Sequence, residues 1–159
     1  MATGKTAVGH LLAKKMKMKY VSTDSLVEKR AECKISTIFK KHGEAYFRLL
    51  ETKAIRSLNK KTGCVISCGG GIILKSVNRK ILKSLGKIIW LKAKPEIINK
   101  RLKSLRQRPL LNIDDDKKRL VEIKKILSAR NPIYSKVSDH VIDTSSLTLN
   151  GVVDKIIDL

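Results

Sequence analysis

The chain has 159 residues, 42% of them hydrophobic and 31% charged, an ordinary globular composition that suits a single domain over residues 1–159. Its longest apolar runs span a few residues, as in Ile72-Ile73-Leu74, far from the roughly 18 of a membrane span, and the start MATGKTAVGH has no apolar signal region, so we expect neither a membrane partner nor secretion. Lys plus Arg number 35 against 14 Asp plus Glu, a formal net charge of +21. Such a charge steers polyanions or anionic small substrates towards a protein. Because the lysines are scattered and aromatics make up 4%, too little for a base-stacking platform, we read solvated surface lysine and expect no nucleic-acid partner.

Helical and strand-like patterns alternate, which predicts an α/β fold with parallel strands. A first helix is expected from about Lys5 to Met16, with Val8, Leu11 and Leu12 inward. A short strand follows around Tyr20 and Val21, and Asp24 is placed to cap a helix over Ser25 to Ala31. A second amphipathic helix starts after Gly43, with Tyr46, Leu50, Ala54 and Leu58 on one face. Cys64 to Cys68, bounded by Gly63 and Gly69, reads as a buried strand. Next comes a helix near Ser76 to Leu85, burying Val77, Ile81 and Leu85 and closed by Gly86. Lys87 to Leu91 reads as a strand, and Pro95 opens a helix carrying Ile98, Leu102 and Leu105. Leu120, Ile123 and Leu127 mark a later helix, with Asp114, Asp115 and Asp116 around its N-terminus. His140 to Ile142 looks like the last strand, and Val152, Val153, Ile156 and Ile157 close the chain as a helix.

Three cysteines, Cys33, Cys64 and Cys68, form no Cys-x-x-Cys pair, which argues against zinc or a disulfide framework and for reduced thiols in the cytoplasm. His10, His42 and His140 lie far apart and lack metal-ligand spacing. Met1 to Thr6, MATGKT, matches the last six positions of the P-loop pattern G-x-x-x-x-G-K-[ST]. The residue types suit phosphate: Gly4 permits a tight turn that aims amides at phosphate oxygens. Lys5 supplies a point charge for the β and γ phosphates, the Thr6 hydroxyl can ligate magnesium, and the helix that begins here adds its dipole.

ATGKTAVGHLLAKK, VSTDSLVEK, HGEAYFRLLE, VISCGGG, RPLL and ARNPIYSKVSDHVIDT together resemble the shikimate kinase family, in order and at compatible spacing over nearly all of the chain. The resemblance implies a P-loop kinase-like three-layer fold with a parallel sheet of family order 2-3-1-4-5 and a lid over about 106–118. It implies ATP as phosphoryl donor with Mg2+, shikimate as acceptor, and a monomer. Ala2, Thr3, Gly4, Lys5, Thr6 and Ala7 match the phosphate loop. Asp24 matches the aspartate that holds the acceptor hydroxyls, Arg48 and Arg130 match arginines for the acceptor carboxylate, and Gly69, Gly70 and Gly71 match glycines lining the acceptor pocket. Arg108 matches the lid arginine facing the phosphates, and Arg101 matches an arginine near the nucleotide. The rivals are another small-molecule P-loop kinase of gluconate or nucleotide type and an inactive truncated homologue.

Two positions depart from the family pattern. Ser22 stands where the family has an aspartate that helps hold magnesium. The P-loop also lacks its first glycine and a preceding strand, so we expect a reading frame that extends roughly ten residues upstream, about a strand with its lead-in. Without that strand, unpaired ladder groups would cost about 1–3 kcal/mol each, and poor folding with little activity is expected.

Overall fold

The computed structural model describes residues 2–58, 62–103, 113 and 115–159. Gly4 adopts φ 85° and releases the chain into helix α1 (Lys5–Lys15). The elements that follow are strand β1 (Lys19–Ser22), α2 (Thr23–Ala31), α3 (Ile35–Arg56), β2 (Cys64–Ser67), a 3-10 turn (Ile72–Leu74) and α4 (Ser76–Leu85). The chain continues through β3 (Ile89–Lys92), α5 (Pro95–Lys103), α6 (Asp116–Val137), β4 (His140–Asp143) and α7 (Leu149–Ile157). All four expected strands are present within a residue or two of their expected limits.

β1 pairs with β2 in parallel, from Lys19 opposite Cys64 to Ser22 opposite Ser67. β3 pairs with β4 in parallel, from Ile89 opposite His140 to Lys92 opposite Asp143. Among the described residues no ladder joins β2 to β3. The two pairs correspond to family strands 2-3 and 4-5, the neighbours on either side of the implied central strand. They share one core nonetheless: Val65 of β2 and Ile89 of β3 pack against Val8 and Leu12 of α1, Leu91, Ile142, and Val152, Val153 and Ile156 of α7. Burying such aliphatic side chains stabilises by about 1.5–3 kcal/mol each.

Several helical expectations are corrected. Ser22, rather than Asp24, is the N-cap of α2, its hydroxyl accepting from the Ser25 amide at 3.2 Å, so Asp24 falls in the first turn. The helix expected after Gly43 is present, since Gly43 (φ 76°, ψ 179°) divides α3 into two stretches; the stretch before it, which was not expected, packs Ile38 against Val27 and Phe47. Within the second stretch Tyr46 is exposed while Phe47 is buried. In α4 the buried positions are Asn78 and Leu82, with Val77, Ile81 and Leu85 half-buried on the flanks. Ile157 is exposed at the end of α7. Asp115 caps α6, accepting from the Lys117 and Lys118 amides at 2.8 and 3.0 Å. That helix runs on through Pro132 to Val137, with Arg130 inside it. Leu105 and Asp114 lie outside the described residues.

Candidate active site

Parallel α/β layers leave their ligand crevice beyond the carboxyl ends of the strands, and both halves of the candidate site lie there. On the phosphate side, Gly4 takes the left-handed conformation at the start of α1, and the Val8 amide closes the first turn on the Gly4 carbonyl at 2.9 Å. Ala2 also has a positive φ of 45°. Ala2 and Thr3 are buried, whereas Gly4, Thr6 and Ala7 are exposed and Lys5 is half-buried. Gly4, Lys5, Thr6 and Ala7 thus sit at the helix N-terminus, where amides and dipole favour an anion.

Arg101 of α5 braces this loop from behind. It donates to the Thr144 carbonyl at 2.7 Å and hydroxyl at 3.1 Å, and to the Ala2 carbonyl at 3.5 Å. The Thr144 hydroxyl in turn donates to the Thr3 carbonyl at 3.5 Å.

On the acceptor side, β2 ends at Ser67 and runs through Cys68 into Gly69, Gly70 and Gly71. Gly69 and Gly71 leave no room for a side chain. A Cβ on Gly69 would meet Asp24 Oδ1 at 2.6 Å and Glu51 Oε1 at 2.9 Å, and one on Gly71 would overlap the Arg48 guanidinium. Thr23, fully buried, holds the turn: the Gly69 amide donates to its hydroxyl at 3.0 Å. Tyr134 donates to the Gly70 carbonyl, and its ring stacks on Trp90 with centroids 5.3 Å apart at 15°. Buried Asn78 donates to the Ile72 carbonyl at 2.9 Å and accepts from the Thr52 hydroxyl at 2.9 Å, which ties the following turn to α3.

The charges interlock around the glycines. Arg48, 7% exposed, bonds Glu51 at 2.5 Å through Nη1, and Glu44 at 3.1 Å through Nε and 2.7 Å through Nη2. Burial works against this guanidinium, but the two carboxylates outweigh it and hold its pKa above the ordinary value. Glu51, 1% exposed, is pushed above the usual carboxylate range by burial and by repulsion from Asp24, against the opposing pull of Arg48 and Arg130. Its Oε1 has no hydrogen-bond partner among the described residues. Burial, with Asp24 nearby, pushes the Cys68 thiol up to about 12, while Lys5 pulls it the other way. Burial also raises Tyr134, opposed by Arg130.

Lys5, Asp24, Arg48, Gly69, Gly70, Gly71 and Arg130 therefore surround one short segment. Arg101 stands on the opposite flank of the phosphate loop, and Arg108 lies outside the described residues. Glu44, Glu51 and Tyr134 were given no role from the sequence. Their signals were present in Gly-Glu-x-x-Phe-Arg-x-x-Glu and Arg-x-x-x-Tyr, whose helical spacing puts Glu44, Arg48 and Glu51 on one face and Tyr134 one turn beyond Arg130.

A family model described as "Shikimate kinase" matches residues 1–159. Among curated relatives, the shikimate kinase of Thermodesulfovibrio yellowstonii is 43% identical over 157 residues, covering 99% of this chain and 88% of that protein. That of Caldanaerobacter subterraneus subsp. tengcongensis is 40% identical, covering 99% and 90%. Among solved structures, shikimate kinase from Acinetobacter baumannii in complex with shikimate superposes with a TM-score of 0.90 at 30% identity, covering 99% of this chain and 87% of that one. Sequence and fold agree: the chain belongs to the shikimate kinase family.

Proposed function

We propose that this chain is a shikimate kinase that transfers the γ-phosphoryl of ATP to the 3-hydroxyl of shikimate. The observation that carries this reading is the convergence of Asp24, Arg48 and Glu51 on the Gly69–Gly71 turn, with Lys5 near enough to act on Cys68. That arrangement sets a carboxylate-binding arginine and an acceptor aspartate beside a phosphate loop.

In-line transfer depends on positioning and charge neutralisation more than on covalent chemistry by the protein. The α1 amides and Lys5 hold the β and γ phosphates. Arg48 and Arg130 receive the acceptor carboxylate, for which a planar guanidinium is the suited partner. Asp24 accepts the hydrogen bond of the reacting hydroxyl and takes its proton as the oxygen–phosphorus bond forms and ADP leaves. Arg108 stabilises the transferring group, and Arg101 keeps the phosphate loop in register.

The donor set fits magnesium. That ion takes few protein ligands besides phosphates and water, the Thr6 hydroxyl is exposed at the start of α1, and among the described residues no cluster of three or more His, Cys, Asp or Glu forms a separate cage. When bound, it neutralises charge on the phosphates. The protein acts as a monomer in the cytoplasm, where Cys33, Cys64 and Cys68, all free, stay reduced.

ADP release with magnesium-ATP, measured with and without shikimate, tests the reading. Shikimate-dependent release is expected; ATP binding without it by folded protein would overturn the acceptor. In Arg130→Ala the KM for shikimate should rise far more than that for ATP, and an equal rise would remove Arg130 from the acceptor site.

A further inference from the structure

The Arg48 side of the acceptor pocket is already filled by carboxylates. A guanidinium offers five N–H donors, and a carboxylate is best held across two of them side by side. Here the Nε and Nη2 donors both point at Glu44 Oε1, and Nη1 points at Glu51. An acceptor carboxylate arriving at Arg48 therefore meets an occupied edge.

The two glutamates differ in freedom. The Glu51 side chain is 1% exposed and enclosed by Arg48 and Gly69, whereas that of Glu44 is 51% exposed. Glu44 also follows directly on Gly43, whose φ of 76° and ψ of 179° break α3 in two, so Glu44 opens the second helical stretch. A Cβ on Gly43 would meet nothing within 4 Å, so there is open space beside the kink. At a helix N-terminus a carboxylate remains favoured after it leaves its arginine, because the dipole and free amides still face it.

We propose that Glu44 is a built-in competitor for the acceptor carboxylate, so that acceptor binding is an exchange of one carboxylate for another on the Nε–Nη2 edge of Arg48. The inference rests on the acceptor-site reading above and adds to it a specificity-determining residue. The exchange is anion for anion and leaves the charge around Arg48 unchanged. A neutral polyol cannot drive it, so Glu44 weakens the binding of acceptors that bring a carboxylate and leaves that of uncharged acceptors as it is.

The test is Glu44→Gln, assayed for KM with shikimate, with its methyl ester and with ATP. Glutamine keeps the size but competes weakly for the guanidinium. The KM for shikimate should fall about two- to fivefold, the fold-change equivalent of a partly exposed ion pair, while the KM values for ATP and for the uncharged ester stay as in the parent. An unchanged or raised KM for shikimate, or an equal fall with the ester, overturns the proposal; the rise would mark Glu44 as a support for Arg48. If the parent shows no shikimate-dependent ADP release, the acceptor reading falls separately. The exchange is then read from the Arg48 Nε–H resonance of 15N-arginine-labelled protein titrated with acetate. Half-saturation at lower acetate in Glu44→Gln supports the exchange, and half-saturation at equal or higher acetate refutes it.

Discussion

The phenolic hydroxyl of Tyr134 donates to the carbonyl of Gly70 at 2.5 Å, fastening the middle glycine of the acceptor turn to the helix that carries Arg130. Because Arg130 and Tyr134 are one helical turn apart, they occupy the same face of α6. The acceptor turn and its carboxylate partner are thereby held by one rigid element.

Tyr134→Phe removes the hydroxyl and keeps the ring stacked on Trp90. A hydrogen bond of this kind contributes about 0.5–1.5 kcal/mol, so the KM for shikimate should rise about two- to tenfold. The KM for ATP should not move. Initial rates over a shikimate-by-ATP grid separate the two, and an equal rise in both would mean a general loosening of the fold.

Gly71→Ala places a methyl group into the Arg48 guanidinium, and Gly69→Ala places one against Asp24 and Glu51. Either the arginine or the turn must shift. Acceptor binding should be lost in Gly71→Ala while the protein still binds ATP, as calorimetry with each ligand would show. Gly63→Ala, at a loop glycine with open space around it but φ 63°, should cost stability and leave shikimate affinity intact.

Glu51 gives the acceptor site an acid limb. Its pKa is raised by burial, so lowering the pH protonates it earlier than an ordinary glutamate, removes the anion holding Arg48 Nη1, and raises the KM for shikimate. The limb should vanish in Glu51→Gln, whose KM should be high at every pH. For stability the sign is opposite. The folded state binds this proton more tightly than the unfolded chain, so the group's contribution is complete below about 4.3 and lost as pH rises through the raised folded value. Chemical denaturation across that range, parent against Glu51→Gln, reads the difference.

Cys68 should be the slowest thiol to react. Its pKa of about 12 leaves almost no thiolate at pH 8, and the thiolate is the nucleophile. With an aromatic disulfide reagent, Cys33→Ser/Cys64→Ser protein should be labelled slowly when folded and at the ordinary rate in denaturant. Fast labelling of the folded variant would contradict the environment of Cys68.

Much of this was legible in the residues, for identifiable reasons. The helix expected near Ser76 to Leu85 is found there because Gly86 bounds it, although its buried positions are Asn78 and Leu82. The strands showed as short apolar runs between turns. Gly43 marked the start of a helical stretch correctly, because its positive φ and extended ψ interrupt α3 at that residue. Tyr46 was placed on the apolar face by a four-residue spacing, while Phe47, three and seven residues before Leu50 and Ala54, is the position that faces the core. Arg48 was recognisable by motif, and helical spacing put Glu44 and Glu51 on its face; the near-complete burial of Glu51 against it was not legible, since an acidic residue in a helix ordinarily faces water. Tyr134 bonds a carbonyl 64 positions away, a relation carried by tertiary packing and by no local pattern.

The stack of Trp90 on Tyr134 has a practical consequence. The chain contains one tryptophan, so its tryptophan emission, excited beyond the tyrosine absorption, comes from a single indole. That indole is two steps from the acceptor turn, through the Tyr134 ring and its bond to the Gly70 carbonyl. Any ligand that displaces Gly70 reaches the indole through that path, so the protein carries its own optical probe, and acceptor titrations need no attached dye.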